Sequence, residues 1–214
     1  MTEADWLAGA ESEPLLRFIR GRLSDRKLRL FAAACFRRMA DVFHDPRQQR
    51  GIDTLDRLAE EGVLPADCRG ITAELRRAIP PSNHVVATLL AYDQHFLGLM
   101  LYREFCSRSI AVHAVQATAG LSGGWVEQRE QANLLRCIVG NPFRPIAFDP
   151  AWLTSTVRTL AEGVYYRRAS APLPVLADAL QDAGCEQPDI LDHLRGPGPH
   201  VRGCWVVDLI LGKT

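Results

Sequence analysis

Four side chains in the last thirty residues, Cys185, His193, His200 and Cys204, follow one another as C-x7-H-x6-H-x3-C. Two thiolates and two imidazoles are a donor set for tetrahedral zinc, and two short helices joined by a turn would suffice to present them. The paired C-x2-C knuckle of common zinc folds is missing from this spacing. Asp208 is placed to replace one ligand or to steady His200 from behind. The same stretch also offers a thiol nucleophile, Cys204, with His200 as base and Asp208 as orienter. A last helix is expected from His200 to about Leu211, so these three would project side by side from successive turns. Cys204 would then sit mid-helix, where no N-terminal dipole lowers its pKa. That triad is poor, and no catalytic residue is assigned. A third account makes the thiols core and lets the histidines and Arg202 tether helix ends. The cofactor expectation is therefore none, or one structural zinc.

Other residues invite weaker readings. Gly140-Asn-Pro-Phe-Arg-Pro145 is a stiff linker, because residues before proline are pushed out of helix, and it can aim Phe143 and Arg144 at a partner or ligand; with Arg202 these are the partner- or ligand-binding candidates. The simpler roles are a gap filled by Phe143 and a carbonyl or carboxylate bonded by Arg144. Asp178 and Asp182 lie one turn apart, as a solvated face would place them. The densest basic stretch runs from Arg17 to Arg38, and Arg26, Lys27, Arg37 and Arg38 are its nucleic-acid-binding candidates; without interleaved aromatics a solvated helix face explains them as well. His84, His95 and His113 are too widely spaced to share one local helical site.

The elements that must carry these residues read as helices throughout. Ser12, Ser24, Asp45, Ser82 and Asp149 are cap candidates, several followed by proline, and Gly21, Gly62 and Gly184 are stops. Apolar residues recur at three- and four-residue steps, as in Leu28, Phe31, Ala32, Cys35, Met39 and Phe43. Helices are expected over about 65–79 and 83–118, and Gly120–Gly124 is a flexible turn. In the last helix Val201, Trp205 and Leu209 should face inward. No stretch alternates with period two, so the fold expected is all-α, an irregular bundle of about ten helices. The division expected is 1–124 and 125–214, or one continuous domain over 1–214.

Gly140-Asn-Pro-Phe-Arg-Pro145, Asp149-Pro-Ala-Trp-Leu153, Leu173 to Leu180 and Pro199-His-Val-Arg-Gly-Cys-Trp-Val-Val-Asp208 occur in this order, after Met1-Thr-Glu-Ala-Asp-Trp-Leu7 and Ser24 to Ala32. In these motifs the chain resembles a family of proteins without assigned activity that planctomycete bacteria carry in many copies. It departs from the family in having Phe36 where a second cysteine is common, which weakens a metal role for Cys35. The resemblance implies no activity.

Lys and Arg number 25 against 25 Asp and Glu, so no global field draws nucleic acid or an anionic membrane to this 214-residue chain. No run approaches the roughly 20 apolar residues of a membrane span. The acidic start is unlike a secretory signal, so the expectation is a cytoplasmic protein with its six cysteines reduced. No phosphate loop or dinucleotide fingerprint occurs. The leading expectation is a non-enzymatic helical binding or adaptor module whose partner is another protein or a macromolecular complex, with no membrane. The alternatives are a nucleic-acid-associated protein and a zinc- or thiol-dependent hydrolase.

Overall fold

The computed structural model describes residues 1–38, 46–62, 124–167 and 171–213. The helices expected over 65–79 and 83–118, with His84, His95 and His113, lie outside these residues, as do Met39, Phe43, Asp45 and Ser82. Among the described residues every regular element is helical. In chain order these are α1 (Glu3–Ala8), α2 (Ser12–Ile19), α3 (Asp25–Arg37), α4 (Pro46–Glu61), α5 (Trp125–Val139), a 3-10 turn (Pro150–Trp152), α6 (Ser155–Arg167), α7 (Leu173–Asp182), α8 (Pro188–Arg195) and α9 (Trp205–Leu211). The protein is all-α over this range.

The chain divides into two compact units, Gly9–Ala132 and a discontinuous one made of Met1–Ala8 with Asn133–Thr214. The sequence suggested either 1–124 and 125–214 or one continuous domain over 1–214; in the structure α1 belongs with the C-terminal residues.

In the unit Gly9–Ala132, α3 packs on α4. Ser24 caps α3 by accepting the Lys27 N–H, and Gly62, at φ +65°, closes α4 as its sequence position suggested. Ser12 does not cap α2. Its hydroxyl is buried and donates to Gln131 Oε1 at 2.8 Å, while Glu11 holds the cap position. Gln131 in turn donates to Glu127, and the buried Glu127 carboxylate is held by Arg38 Nη2 at 3.1 Å. Burying these groups is tolerable because each meets a partner. Burial, aided by the Glu127 charge, pushes the Cys35 thiol well above its ordinary pKa, so Cys35 is an inert core residue.

In the discontinuous unit, α7 packs on α6 and α8, and α9 on α6 and α8. The core holds Val157, Ala161 and Tyr165 of α6, Leu176, Ala177 and Leu180 of α7, Ile190 and Leu194 of α8, and Val206, Val207 and Ile210 of α9. Asp149 does cap its proline start, accepting the Ala151 N–H at 2.9 Å, but only a 3-10 turn follows, and Thr154 caps α6 afresh through the Val157 N–H at 3.2 Å. Val175 is 55% exposed, because α7 turns Leu173, Leu176, Ala177 and Leu180 inward. Helix α1 is anchored here. Trp6 is fully buried, its indole N–H donates to the Gly140 carbonyl at 3.0 Å, and Arg136 Nε donates to the Trp6 carbonyl at 2.8 Å. No described helix is long and apolar enough to cross a membrane.

Candidate metal centre

Helix α8 begins at Pro188, as a first-turn proline allows, and stops where Gly196 precedes Pro197 and takes an extended conformation. His193 thus lies in the last turn of α8. The chain then turns through Gly198, which has φ +91° and is joined to Pro199 by a cis peptide bond. A Cβ on Gly198 would lie 2.9 Å from the His200 backbone nitrogen, so the turn that delivers His200 is open to glycine alone. Gly203, at φ +89°, breaks the backbone once more.

For this reason the last helix starts at Trp205 and not at His200, which corrects the expectation of one helix over 200–211. Cys204 is its N-cap residue. The row of His200, Cys204 and Asp208 along one helix face therefore does not exist. Asp208 is 1% exposed, and both ring nitrogens of His200 are accounted for without it: Nε2 lies 3.1 Å from the Gly196 carbonyl and Nδ1 is buried with no hydrogen-bond partner.

His193, His200 and Cys204 do come together, and the fourth member is Cys137, near the end of α5. One donor atom from each of these four lies within 4.8 Å of every other. His193 Nε2 is 3.1 Å from Cys204 Sγ, and the two imidazoles meet edge to face with centroids 5.0 Å apart. Cys185, the fourth ligand expected from the sequence, is elsewhere. It follows the Gly184 stop of α7, its N–H bonds the Leu180 carbonyl at 2.9 Å, and its side chain is fully buried in the core.

The electrostatics favour a deprotonated sulfur. Hydrogen bonding from the Cys137 thiol, and then from His193, holds the Cys204 thiol well below its ordinary pKa although burial opposes this. The Cys204 sulfur in turn raises the His200 pKa against a lowering by burial, and the Gly196 carbonyl raises it further. His200 and Cys204 nevertheless form no hydrogen bond, since Nδ1 has no partner. Donation from Nε2 to Gly196 would fix the tautomer that leaves a lone pair on Nδ1, the arrangement usual for a metal-ligating histidine.

No protein-family model, curated protein or solved structure matches this chain. The site is therefore read from its own chemistry. A Cys2His2 set of this size could hold a metal ion. Tetrahedral zinc, with bonds of about 2.0–2.3 Å, sets its donors roughly 3.3–3.8 Å apart. The His193–Cys204 separation of 3.1 Å and the upper limit of 4.8 Å bracket that range, so the cluster is of a size that suits the ion.

A cavity of about 290 Å³ opens beside the cluster, walled by Cys137, His193 and His200 together with Asn133, Arg136 and Asp192. Cys204 is not on its wall, so a substrate in the cavity would not meet the Cys204 thiol, which speaks against a hydrolase that uses it as nucleophile.

The remaining candidates have structural occupations. Arg144 forks onto Glu3, with Nε 2.7 Å from Oε1 and Nη2 3.3 Å from Oε2, and so realises the carboxylate role. Asn141 donates to the same carboxylate at 2.7 Å. Phe143 stays 37% exposed at the tip of the turn. Arg202 lies 4.7 Å over the Tyr165 ring. Asp178 pairs with Arg195 at 2.7 Å. Of the basic candidates, Arg26 pairs with Glu60, Arg37 with Asp53 and Asp56, and Arg38 with Glu127 and Glu130, while Lys27 lends its backbone N–H to the Ser24 cap. Three of these four cations are thus matched by carboxylates of the same unit.

Proposed function

We propose that the protein is a non-enzymatic helical binding module whose C-terminal residues are locked by one structural zinc ion on Cys137, His193, His200 and Cys204. One observation carries this: donors from α5, α8, the Gly198 turn and the α9 cap converge within 4.8 Å, and among them a buried Nδ1 has no other partner. Four protein ligands saturate tetrahedral zinc and leave no position for a reacting water, which favours a structural over a hydrolytic role. The pairing of Arg26, Arg37 and Arg38 favours a protein or macromolecular complex as partner over nucleic acid. Kinship with the planctomycete family is proposed on the motifs that contain Gly140, His200 and Cys204.

Metal content per purified chain, measured with thermal melting before and after chelation, tests the reading. One zinc per chain and a large fall in melting temperature are expected, since a structural zinc contributes several kcal/mol to folding. Absence of metal together with an unmoved melting temperature would refute it.

A further inference from the structure

Four protein ligands normally close a structural zinc site, yet this cluster has a cavity along one side. The two sulfurs stand differently towards it. Cys137 is on its wall and Cys204 is behind, with their donor atoms no more than 4.8 Å apart. A small solute entering the cavity therefore meets one sulfur first and has the second in reserve. We propose that Cys137 is a site of oxidation by hydroperoxides and that Cys204 resolves it, closing a Cys137–Cys204 disulfide and expelling the ion. The inference rests on the zinc reading above.

The chemistry is balanced by the two thiolates and one peroxide. The Cys137 thiolate attacks the near peroxide oxygen, the O–O bond breaks, and a sulfenic acid forms as hydroxide leaves. Arg136, on the same wall, sets a positive charge near the departing hydroxide. The Cys204 thiolate then attacks the Cys137 sulfur, the S–S bond forms, and the sulfenic hydroxyl leaves as a second hydroxide. Two protons from water's buffer convert the hydroxides to two waters. The sulfurs give up two electrons and the peroxide takes them. Bond formation brings the sulfurs to roughly 2.05 Å, and a disulfide is no longer a thiolate donor, so the ion keeps two imidazoles and departs.

Among the described residues the same fate is denied to the other thiols. Neither Cys35, whose thiol is held protonated, nor Cys185, in the core, lines the cavity.

The experiment treats the zinc-loaded full chain with a molar excess of hydrogen peroxide. A metallochromic dye follows zinc, and peptide mapping after alkylation locates the oxidised residues. The expected result is one zinc released per chain in step with a Cys137–Cys204 disulfide, Cys35 and Cys185 remaining alkylated, and re-binding after thiol reduction. Because Cys204→Ser removes a ligand and can unfold the site, the order of attack is read on the wild-type chain as well, with limiting peroxide and dimedone present. The sulfenic label should fall on Cys137. Retention of zinc through the treatment, a disulfide elsewhere, or first labelling of Cys204 overturns the inference and leaves the zinc clasp standing. A purified chain without zinc before any peroxide overturns the clasp and this inference together.

Discussion

At the scale of single residues, Cys137 and Cys185 exchange the roles that spacing suggested. Cys185 has the short interval to His193, but it directly follows a helix stop, and the turn that satisfies the end of α7 draws its side chain into the core. Cys137 lies among Leu134, Leu135 and Ile138, all buried, so its helical period announces a core thiol and nothing more. Its nearness to His193 is a tertiary fact with no local trace in the sequence. Zinc stoichiometry separates the two. Cys137→Ser should abolish binding, whereas Cys185→Ser should keep one zinc per chain at a stability cost of about 1–3 kcal/mol, the cost of a buried hydroxyl in an apolar site. Gly198 makes a second test. Gly198→Ala forces a Cβ against the His200 backbone at positive φ, so a destabilisation of about 1–3 kcal/mol and weaker zinc binding in competition with a chelator are expected.

At the scale of elements, the helices were legible because caps and stops act locally. The starts of α3 and α8 and the end of α4 fall where Ser24, Pro188 and Gly62 place them. The start of α9 was not legible, since a lone glycine such as Gly203 is tolerated within a helix and only its positive φ, with that of Gly198, excludes a helix there. Moving that start also turns the buried face. Val206, Val207 and Ile210 form the core stripe, and Trp205 is only partly buried, its indole lying over the Gly140 backbone and 5.6 Å from His193. A partly buried indole loses less on truncation than a core one. Trp205→Ala should cost about 2–3 kcal/mol and Ile210→Ala about 2–5 kcal/mol in denaturant unfolding. A larger loss for Trp205 than for Ile210 would show that the indole contributes more than packing, through its hold on His193.

At the scale of the whole molecule, the all-α class followed from the absence of period-two alternation, and among the described residues Arg26, Arg37 and Arg38 are engaged in ion pairs with neighbouring helices. The division into units was not legible, because the link between α1 and the residue-140 turn is a long-range match of Trp6, Glu3, Asn141 and Arg144. That match predicts an effect far along the chain. Trp6→Ala should lower the stability of the C-terminal residues by about 3–5 kcal/mol, the range for a fully buried tryptophan, read as lost amide protection in α5 beyond Asn133. Unchanged protection there would show that α1 is a passive appendage.

The discontinuous unit also bears on how the chain is born. Met1–Ala8 leaves the ribosome well before the residues it packs with, which begin at Asn133. At about 5–20 residues per second the Trp6 indole waits roughly 7–27 seconds for its acceptor, Gly140, to be synthesised. Throughout that interval a large apolar ring lacks its native cover, available to chaperones or to the wrong neighbour. This unit can thus be completed only after its distant second segment is made, and the helix that holds Trp6 waits longest for its native place.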